Sequence, residues 1–520
     1  MATKVQLPKI LKAVLEKAAN SPGPQLTRLA QNPAVRKVIA REVENVIMAW
    51  LKESRSDSSR FPGIEDDLAA MSLAIMGSID RALDGKHLSD AYVHSILQTL
   101  VKVLFYEHGD QSAAQRFEAQ YGMRAPTFLL LSPGKACNLH CTGCYADSTE
   151  KPRTLEWSIV DRIIEEAKTL WGARFFAFSG GEPFAYRSED KGILDIVEKH
   201  SDCFFMAYTN ATLISEKISQ RLSKTGNLIL AISVEGWKVR TDERRGAGIY
   251  DKVLSVMEML RKDGVAYGIS LTGTRYNAEE ILSDEFIDFF IQHGALFAWL
   301  FQYMPIGRAF TLDLMVTPQQ RAWMWRRSWE IVREKRFFLA DFWNHGTACD
   351  GCLSAGGHGA GGYFYVDWNG AVCPCVFMPY SPVNIKDVYT QGKTLNDVWQ
   401  EPFFHSLRQW QLDYKQQHRN GLAPCPNRDH HDELEKLLCA FEPDPIDTNA
   451  AETMSDADYT RGLVTYNRIF EAVTREIWEN YYLNRAGEDG SMAPLPEVPN
   501  EHELEIIYLQ KAQPMHNSAG

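Results

Sequence analysis

Cys137, Cys141 and Cys144 stand in the run Lys135-Ala136-Cys137-Asn138-Leu139-His140-Cys141-Thr142-Gly143-Cys144-Tyr145. Three thiolates within eight residues can hold one face of a metal cluster from a single loop. The chain has ten cysteines in 520 residues, and chance would put partners at +4 and +7 in only about 0.4 % of such chains. A structural zinc, with His140 or a remote residue as fourth ligand, is one alternative, and unrelated thiols are another. Zinc normally draws its ligands as two close pairs, whereas a run of three is typical of iron–sulfur ligation. Three cysteines are one too few for the four irons of a cubane, so a cluster here would leave one iron open to another ligand.

The elements around this loop follow a regular pattern. From Pro126 onward, short apolar runs alternate with helical spacing. Strands are predicted at Thr127–Leu131, Phe175–Phe178, Phe204–Tyr208, Leu228–Ser233, Tyr267–Leu271 and Phe297–Gln302. Helices are predicted between them, among them Trp157–Trp171, Ser215–Ser223, Asp251–Lys262 and Glu279–His293. Such βα repeats imply an α/β fold with a parallel sheet, either doubly wound or curved into a partial (βα)6 barrel. Barrels collect their chemistry at the C-terminal ends of the strands. The first strand here leads into the cysteine loop. The second ends in Ser179-Gly180-Gly181-Glu182-Pro183, the third in Thr209-Asn210 and the fourth in Ser233-Val234-Glu235-Gly236. The fifth ends in Thr272-Gly273-Thr274 and the sixth in Met304-Pro305-Ile306-Gly307-Arg308. That agreement between pattern and placement is stronger evidence than any one motif.

The barrel is expected over residues 126–310, behind a helical N-terminal domain over 1–125. In that domain Ile10, Val14 and Ala18, then Val35 to Leu51, then Ala91 to Phe105, carry helical spacing. These helices read as a cap on the barrel, or as an amphipathic surface for a lipid or partner. Residues 311–440 form a cysteine-rich α+β extension holding Cys349, Cys352, Cys373, Cys375, Cys425 and Cys439. Within it, Trp368-Asn369-Gly370 between two short apolar runs is a hairpin signal. Residues 441–520 read as one helix, about Tyr459 to Tyr482, and a loose tail. The net charge of −12 argues against a general nucleic-acid binder. No apolar run is long enough to span a membrane, although peripheral contact stays open. The N-terminus has no signal-peptide core, so a cytoplasmic, reducing location is expected, where cysteines serve as ligands more often than as disulfides.

The cysteine loop and the strand-end motifs, taken together over residues 126–310, resemble the radical S-adenosylmethionine (SAM) superfamily. The resemblance implies that Cys137, Cys141 and Cys144 ligate a [4Fe–4S] cluster whose fourth iron is chelated by SAM. It implies reductive cleavage of SAM to a 5′-deoxyadenosyl radical, which abstracts hydrogen from a substrate. An external donor of the flavodoxin or ferredoxin type would supply the electron. Gly180, Gly181, Glu182 and Pro183 match the motif that receives the SAM amino group. Asn210 and Ser233 match positions near the SAM ribose and carboxylate. Glu235 stands where many relatives carry Asp, and Arg245 matches an Arg-Gly segment that can pair a carboxylate. The family often has an aromatic residue just before the third cysteine. Here it is Gly143, and Tyr145 is the residue expected to cover the adenine or the cluster.

The extension resembles the SPASM or twitch region, which implies auxiliary iron–sulfur clusters. Gly370 and Cys375 fit its Gly-x4-Cys element. One auxiliary cluster on Cys352, Cys373, Cys375 and Cys425 is the preferred reading, with Cys349 as substitute. Cys203 and Cys439 are assigned to packing, and His430-His431 to a solvated turn rather than a metal site. The expected substrate is a peptide or protein, as in maturases of this type, with a lipid or other apolar small molecule as the alternative. A non-catalytic iron–sulfur electron carrier is the alternative of another class.

Overall fold

The structure is a computed structural model, and it describes residues 27–28, 30–54, 61–96, 111–150, 153–349, 351–356, 361–484 and 491–499. The helix expected around Ile10 to Ala18 lies outside them, as do most of the one ending at Phe105 and the last twenty-one residues of the tail. Helices α1 (Pro33–Ser54), α2 (Pro62–Asp84) and α3 (Gln111–Tyr121) come first. Then strands and helices alternate: β1 (Phe128–Leu131), α4 (Trp157–Glu166), β2 (Phe175–Phe178), α5 (Ile193–Lys199), β3 (Phe204–Thr209), α6 (Glu216–Thr225) and β4 (Leu228–Val234). They continue through α7 (Lys238–Arg245), α8 (Ile249–Asp263), β5 (Tyr267–Gly273), α9 (Asp284–Gln292), β6 (Phe297–Gln302), α10 (Pro318–Glu334) and β7 (Phe338–Asp341). The rest comprises β8 (Tyr363–Val366), β9 (Ala371–Cys373), β10 (Tyr380–Ser381), β11 (Val383–Asn384), α11 (Pro402–Gln416), α12 (His431–Phe441), β12 (Asp444–Pro445) and α13 (Ala457–Glu476).

All six strands expected from the sequence form, and they pair in chain order as parallel neighbours. Two more parallel strands extend the sheet. β7 joins β6, with Phe297 opposite Phe338. β8 joins the far edge, so that Leu131 of β1 lies between Phe178 of β2 and Val366 of β8. The hairpin predicted around Trp368-Asn369-Gly370 is present as β8 and β9. It is not a separate unit, however, because β8 continues the main sheet. The full order is β11-β9-β8-β1-β2-β3-β4-β5-β6-β7, with β7 and β11 at its edges among the described residues. β4 reads Leu-Ile-Leu-Ala-Ile-Ser-Val with little alternation, as expected of a parallel strand covered on both faces.

Alternate residues of the strands line one common cavity of about 510 Å³: Leu130 in β1, Ala177 in β2, Tyr208 in β3, Thr272 in β5, Phe301 in β6 and Ala340 in β7. A flat sheet could not bring these six strands around one space. The sheet therefore curls into an open, partial barrel, with its helices outside.

α2 is a helix that the sequence pattern concealed. Its positions Glu65, Asp66 and Asp67 interrupt the apolar stripe, yet all three are buried. Asp67 accepts hydrogen bonds from Thr347 Oγ1 at 2.7 Å and Tyr482 Oη at 2.8 Å, and Arg333 stands 3.6 Å away. One carboxyl thus ties α2 to the segment after β7 and to the C-terminal helix. α1 packs on α2, and α2 packs on α10 and β7, so the described N-terminal helices cover the barrel. Among the described residues no helix is long and apolar enough to cross a membrane.

Burial raises the Asp67 carboxyl from 3.8 to about 7, outweighing Arg333 and the two hydroxyl donors. The folded state then holds a proton there that the unfolded chain releases near pH 3.8. Stability contributed by this group is expected to fall as pH rises from about 4 to about 7. Denaturant melts across that range should show the slope, and Asp67→Asn should flatten it.

Candidate functional site

The cysteine loop leaves β1 and is held by the loops that follow the neighbouring strands. Gly181 N–H donates to Gly134 O at 3.0 Å and Glu182 N–H to Ala136 O at 2.8 Å. A Cβ on Gly181 would stand 2.1 Å from Ala136 O and 2.5 Å from Lys135 O. Glycine is required here because two backbones touch. From the other side, Arg308 donates to Cys141 O at 3.1 Å and to Asp147 Oδ1 at 3.2 Å, and its backbone N–H donates to Cys144 O at 3.0 Å. The ends of β2 and β6 therefore clamp the loop between them.

Cys137, Cys141 and Cys144 all line the cavity and are half-buried. Several donors face their sulfurs. Leu139 N–H lies 3.4 Å and Asn210 Nδ2 3.7 Å from Cys137 Sγ, and Arg245 Nη1 lies 4.0 Å from Cys141 Sγ. Burial pushes the Cys137 thiol up to about 11. A thiolate at that position needs a cation to compensate it, which is the condition metal ligation meets. No three His, Cys, Asp or Glu side chains among the described residues group as one metal ion requires.

The strand-end residues divide by environment. Gly180, Gly181, Glu182, Asn210, Ser233 and Arg245 line the cavity beside the three cysteines. Pro183 opens the short turn Pro183–Ala185 and is buried away from the cavity wall. Glu182 is 2 % exposed and its carboxylate is already occupied. It accepts from Thr209 Oγ1 at 2.6 Å, Asn210 N–H at 2.8 Å and Phe184 N–H at 3.2 Å. Burial raises this carboxyl, and those donors oppose the rise. Its work in this structure is to bind the end of β2 to the end of β3. Glu235 is also engaged. It pairs with Arg245, with Arg244 at 2.7 Å and with Thr272 N–H at 3.2 Å, and it does not line the cavity. Two arginines share one carboxylate, which leaves a net positive charge beside Cys141. Tyr145 is tied as well, with its hydroxyl 2.5 Å from Ser179 Oγ and accepting Gly180 N–H at 3.1 Å.

The downstream thiols form a second group on the same cavity. Cys349, Cys352, Cys375 and Cys425 line it, but Cys373 does not. Tyr363 Oη donates to Cys375 Sγ at 2.9 Å, Phe377 N–H lies 3.4 Å from the same sulfur, and Arg428 N–H lies 3.5 Å from Cys425 Sγ. Burial pushes the Cys352 thiol up to about 12, with Cys425 close enough to add to the rise. Cys373 ends β9, is fully buried, and has Asp367 and Asp447 among its charged neighbours. Cys373 therefore does not line the cavity, although Cys375 is among its neighbours, whereas Cys349 lines it with the other three. Cys203 is buried at the start of β3, as expected, whereas Cys439 is exposed on α12. His430 and His431 are buried rather than solvated. His430 Nε2 contacts Ala423 O at 2.8 Å and His431 Nδ1 contacts Asn427 O at 2.9 Å, so neither is placed as a ligand.

Some site residues gave no signal in the sequence. Tyr303 lies so close over Gly143 that a Cβ there would stand 2.6 Å from its ring, and Gly143 has φ of +64°. The aromatic surface missing from the cysteine loop is thus supplied by the end of β6. Between the two thiol groups runs an aromatic wall. Phe301 lies 5.4 Å from Tyr208 and 5.7 Å from Phe377, and Trp343 lies 5.0 Å from Phe377, centroid to centroid. Beneath it, Arg428 donates to Gln302 Oε1 at 2.8 Å, and Gln302 Nε2 donates to both oxygens of Asp341 at 3.1 Å.

Gly181→Ala is expected to push the cysteine loop off β2, since the added methyl meets backbone and overpacking costs about 1–3 kcal/mol even against mobile side chains. The iron bound by the cysteine loop should fall by at least half in anaerobically reconstituted protein, read by iron assay. Unchanged iron would show that the loop yields without cost.

Residues 131–285 match the Radical SAM superfamily, and residues 358–427 match the SPASM iron–sulfur cluster-binding domain. The AdoMet-dependent heme synthase of Methanosarcina barkeri is 24 % identical over 315 residues, which are 55 % of this chain and 85 % of that protein. The sporulation killing factor maturation protein SkfB of Bacillus subtilis is 27 % identical over 192 residues, 35 % of this chain and 44 % of that protein. Among solved structures, Streptococcus suis SuiB bound to its precursor peptide SuiA aligns with a TM-score of 0.47 and 18 % identity, covering 61 % of this chain and 72 % of that one. The first match spans Cys137, Cys141 and Cys144, the second spans Cys375 and Cys425, and the chain thus carries a radical SAM domain, which implies SAM and a [4Fe–4S] cluster, followed by a SPASM iron–sulfur cluster-binding domain.

Proposed function

We propose that the enzyme abstracts hydrogen from a bulky, mostly apolar organic substrate held between its two groups of thiols. The aromatic wall of Tyr208, Phe301, Trp343 and Phe377 carries this reading. When bound, SAM and its cluster supply the one-electron chemistry that removes hydrogen from an unactivated carbon, given an electron from a flavodoxin- or ferredoxin-type donor. The chain's own residues hold, orient and shield. Cys137, Cys141 and Cys144 would hold the SAM-binding cluster. Gly180, Gly181, Asn210 and Ser233 offer close backbone approach and polar atoms along the SAM side. Arg244 and Arg245 share Glu235 and add positive charge beside three thiolates. Glu182, Pro183 and Tyr145 act through the loops they fix. The aromatic wall keeps water from the reacting carbon.

Cys349, Cys352, Cys375 and Cys425 are the proposed ligands of one auxiliary cluster, with Cys373 left to packing. The support is their common cavity and the donors that face Cys375 and Cys425.

A peptide is the second reading, favoured by the relation to the maturation protein SkfB. A peptide would bring amides that need hydrogen-bond partners, and leaving such groups unpaired costs about 1–3 kcal/mol each. The aromatic wall supplies few partners. The relation to a heme synthase, over a longer stretch, is more at home with a substrate that is not a peptide.

Reconstituted protein with SAM and dithionite is expected to release 5′-deoxyadenosine, and Cys141→Ala to release none; equal release would end the reading. Iron should reach about eight per chain. It should fall by about four in Cys352→Ala and by less than one in Cys373→Ser, measured with sulfide. A loss of four in Cys373→Ser would restore that residue as a ligand.

A further inference from the structure

The cavity does not stop below the cysteine loop. It continues to the opposite, N-terminal end of the sheet. There it is lined by Phe128, Phe175 and Phe338, the first residues of β1, β2 and β7, by Trp299 of β6, and by Met71 and Ile75 of α2. Barrel interiors are normally filled at this level by packed side chains. These six are only half-buried, and although Phe128 lies 5.8 Å from Phe175 and Trp299 6.3 Å from Phe338, centroid to centroid, all six also face the cavity. None carries a charge. An apolar hollow excludes water and accepts apolar guests.

α2 closes this end as a floor. Ser78 Oγ accepts Phe338 N–H at 2.9 Å, and Arg81 donates to the carbonyls of Lys335 at 3.1 Å and Arg336 at 2.8 Å. Met71 and Ile75 are thereby held under the lumen. At the other end Tyr303, the residue after β6, packs over Gly143 of the cysteine loop. β6 spans about 17 Å at ~3.3 Å per residue, so floor and cysteine loop are separated by roughly the length of an extended hydrocarbon chain. A carboxylate, a phosphate or a peptide amide in the lower lumen would find no charged partner and almost no donor.

We propose that the lower lumen binds a hydrocarbon tail of the substrate, with the reactive carbon at the cysteine end and Met71 and Ile75 setting the length of tail that fits. The site rests on the radical-enzyme reading for what happens at the upper end, but tail binding can be measured without turnover. The apolar surface offered by three phenylalanines, one tryptophan and α2 is then covered by the ligand instead of remaining empty.

The test is calorimetric titration of the reconstituted full-length protein with dodecanoate, and with butanoate as a short analogue. Dodecanoate is expected to bind once per chain and at least tenfold more tightly than butanoate. Met71→Trp fills the floor and should weaken dodecanoate at least tenfold, whereas Met71→Ala should not. Iron content and melting temperature check each variant, and Ile75→Phe, on the same floor, replaces Met71→Trp if that protein does not fold. Equal affinity for the two acids, or undiminished dodecanoate binding in the filled variant, overturns the proposal. 5′-Deoxyadenosine release by the unaltered protein, assayed in parallel, reports separately on the radical reading. Its loss alongside intact tail binding would leave the tail site standing.

Discussion

The contact between Gly181 and the carbonyls of Lys135 and Ala136 is the constraint on which the site depends. Two strand-end loops meet there backbone to backbone, with no side chain between them. The cysteine loop thus takes its shape from β2, not from its own short sequence. Glu182 passes the same constraint on to β3, since one buried carboxylate receives donors from both strand ends. Gly307 repeats the device on the other flank, where a Cβ would stand 2.4 Å from the carbonyl oxygens of Cys144 and Tyr145. Three loops, from the neighbouring strands β1 and β2 and from the distant β6, are therefore locked into one surface.

Below that surface lies a buried ionic layer. Arg321 pairs with Asp429, and Arg428 lies against Asp429 and Gln302, all without solvent. Such pairs add little net stability, because desolvation offsets their attraction. They do specify geometry. Asp429 reaches Cys425 N–H at 3.2 Å, so the loop of Cys425 is registered against α10 and β6. The second thiol group is thereby set relative to β6, the strand whose end clamps the first.

The sequence made the βα repeat and the mouth of the barrel legible, because parallel strands are short apolar runs and their C-terminal loops hold Gly, Ser, Asn and Cys. α2 was illegible for a physical reason: Asp66 and Asp67 look like surface residues and are buried by long-range partners, Ala493 N–H and the hydroxyls of Thr347 and Tyr482. β7 has only four residues and no alternation to mark it. Cys373 and Cys375 are two positions apart, but the chain leaves β9 after Cys373, and of the two only Cys375 lines the cavity. Arg245 looked free to meet a ligand because Glu235, ten residues earlier, gave no sign of holding it.

The pairing of β1 with β8 bears on the life of the nascent chain. Phe128 finds its β8 partner, Tyr363, about 235 residues later in the sequence. At synthesis rates of about 5–20 residues per second, the outer edge of β1 waits for tens of seconds before its neighbour is made. Through that interval an apolar, unpaired edge is open to other chains. Assembly of this sheet is thus a race between translation and aggregation, and helpers that shield the half-made edge would decide how much active enzyme a cell obtains.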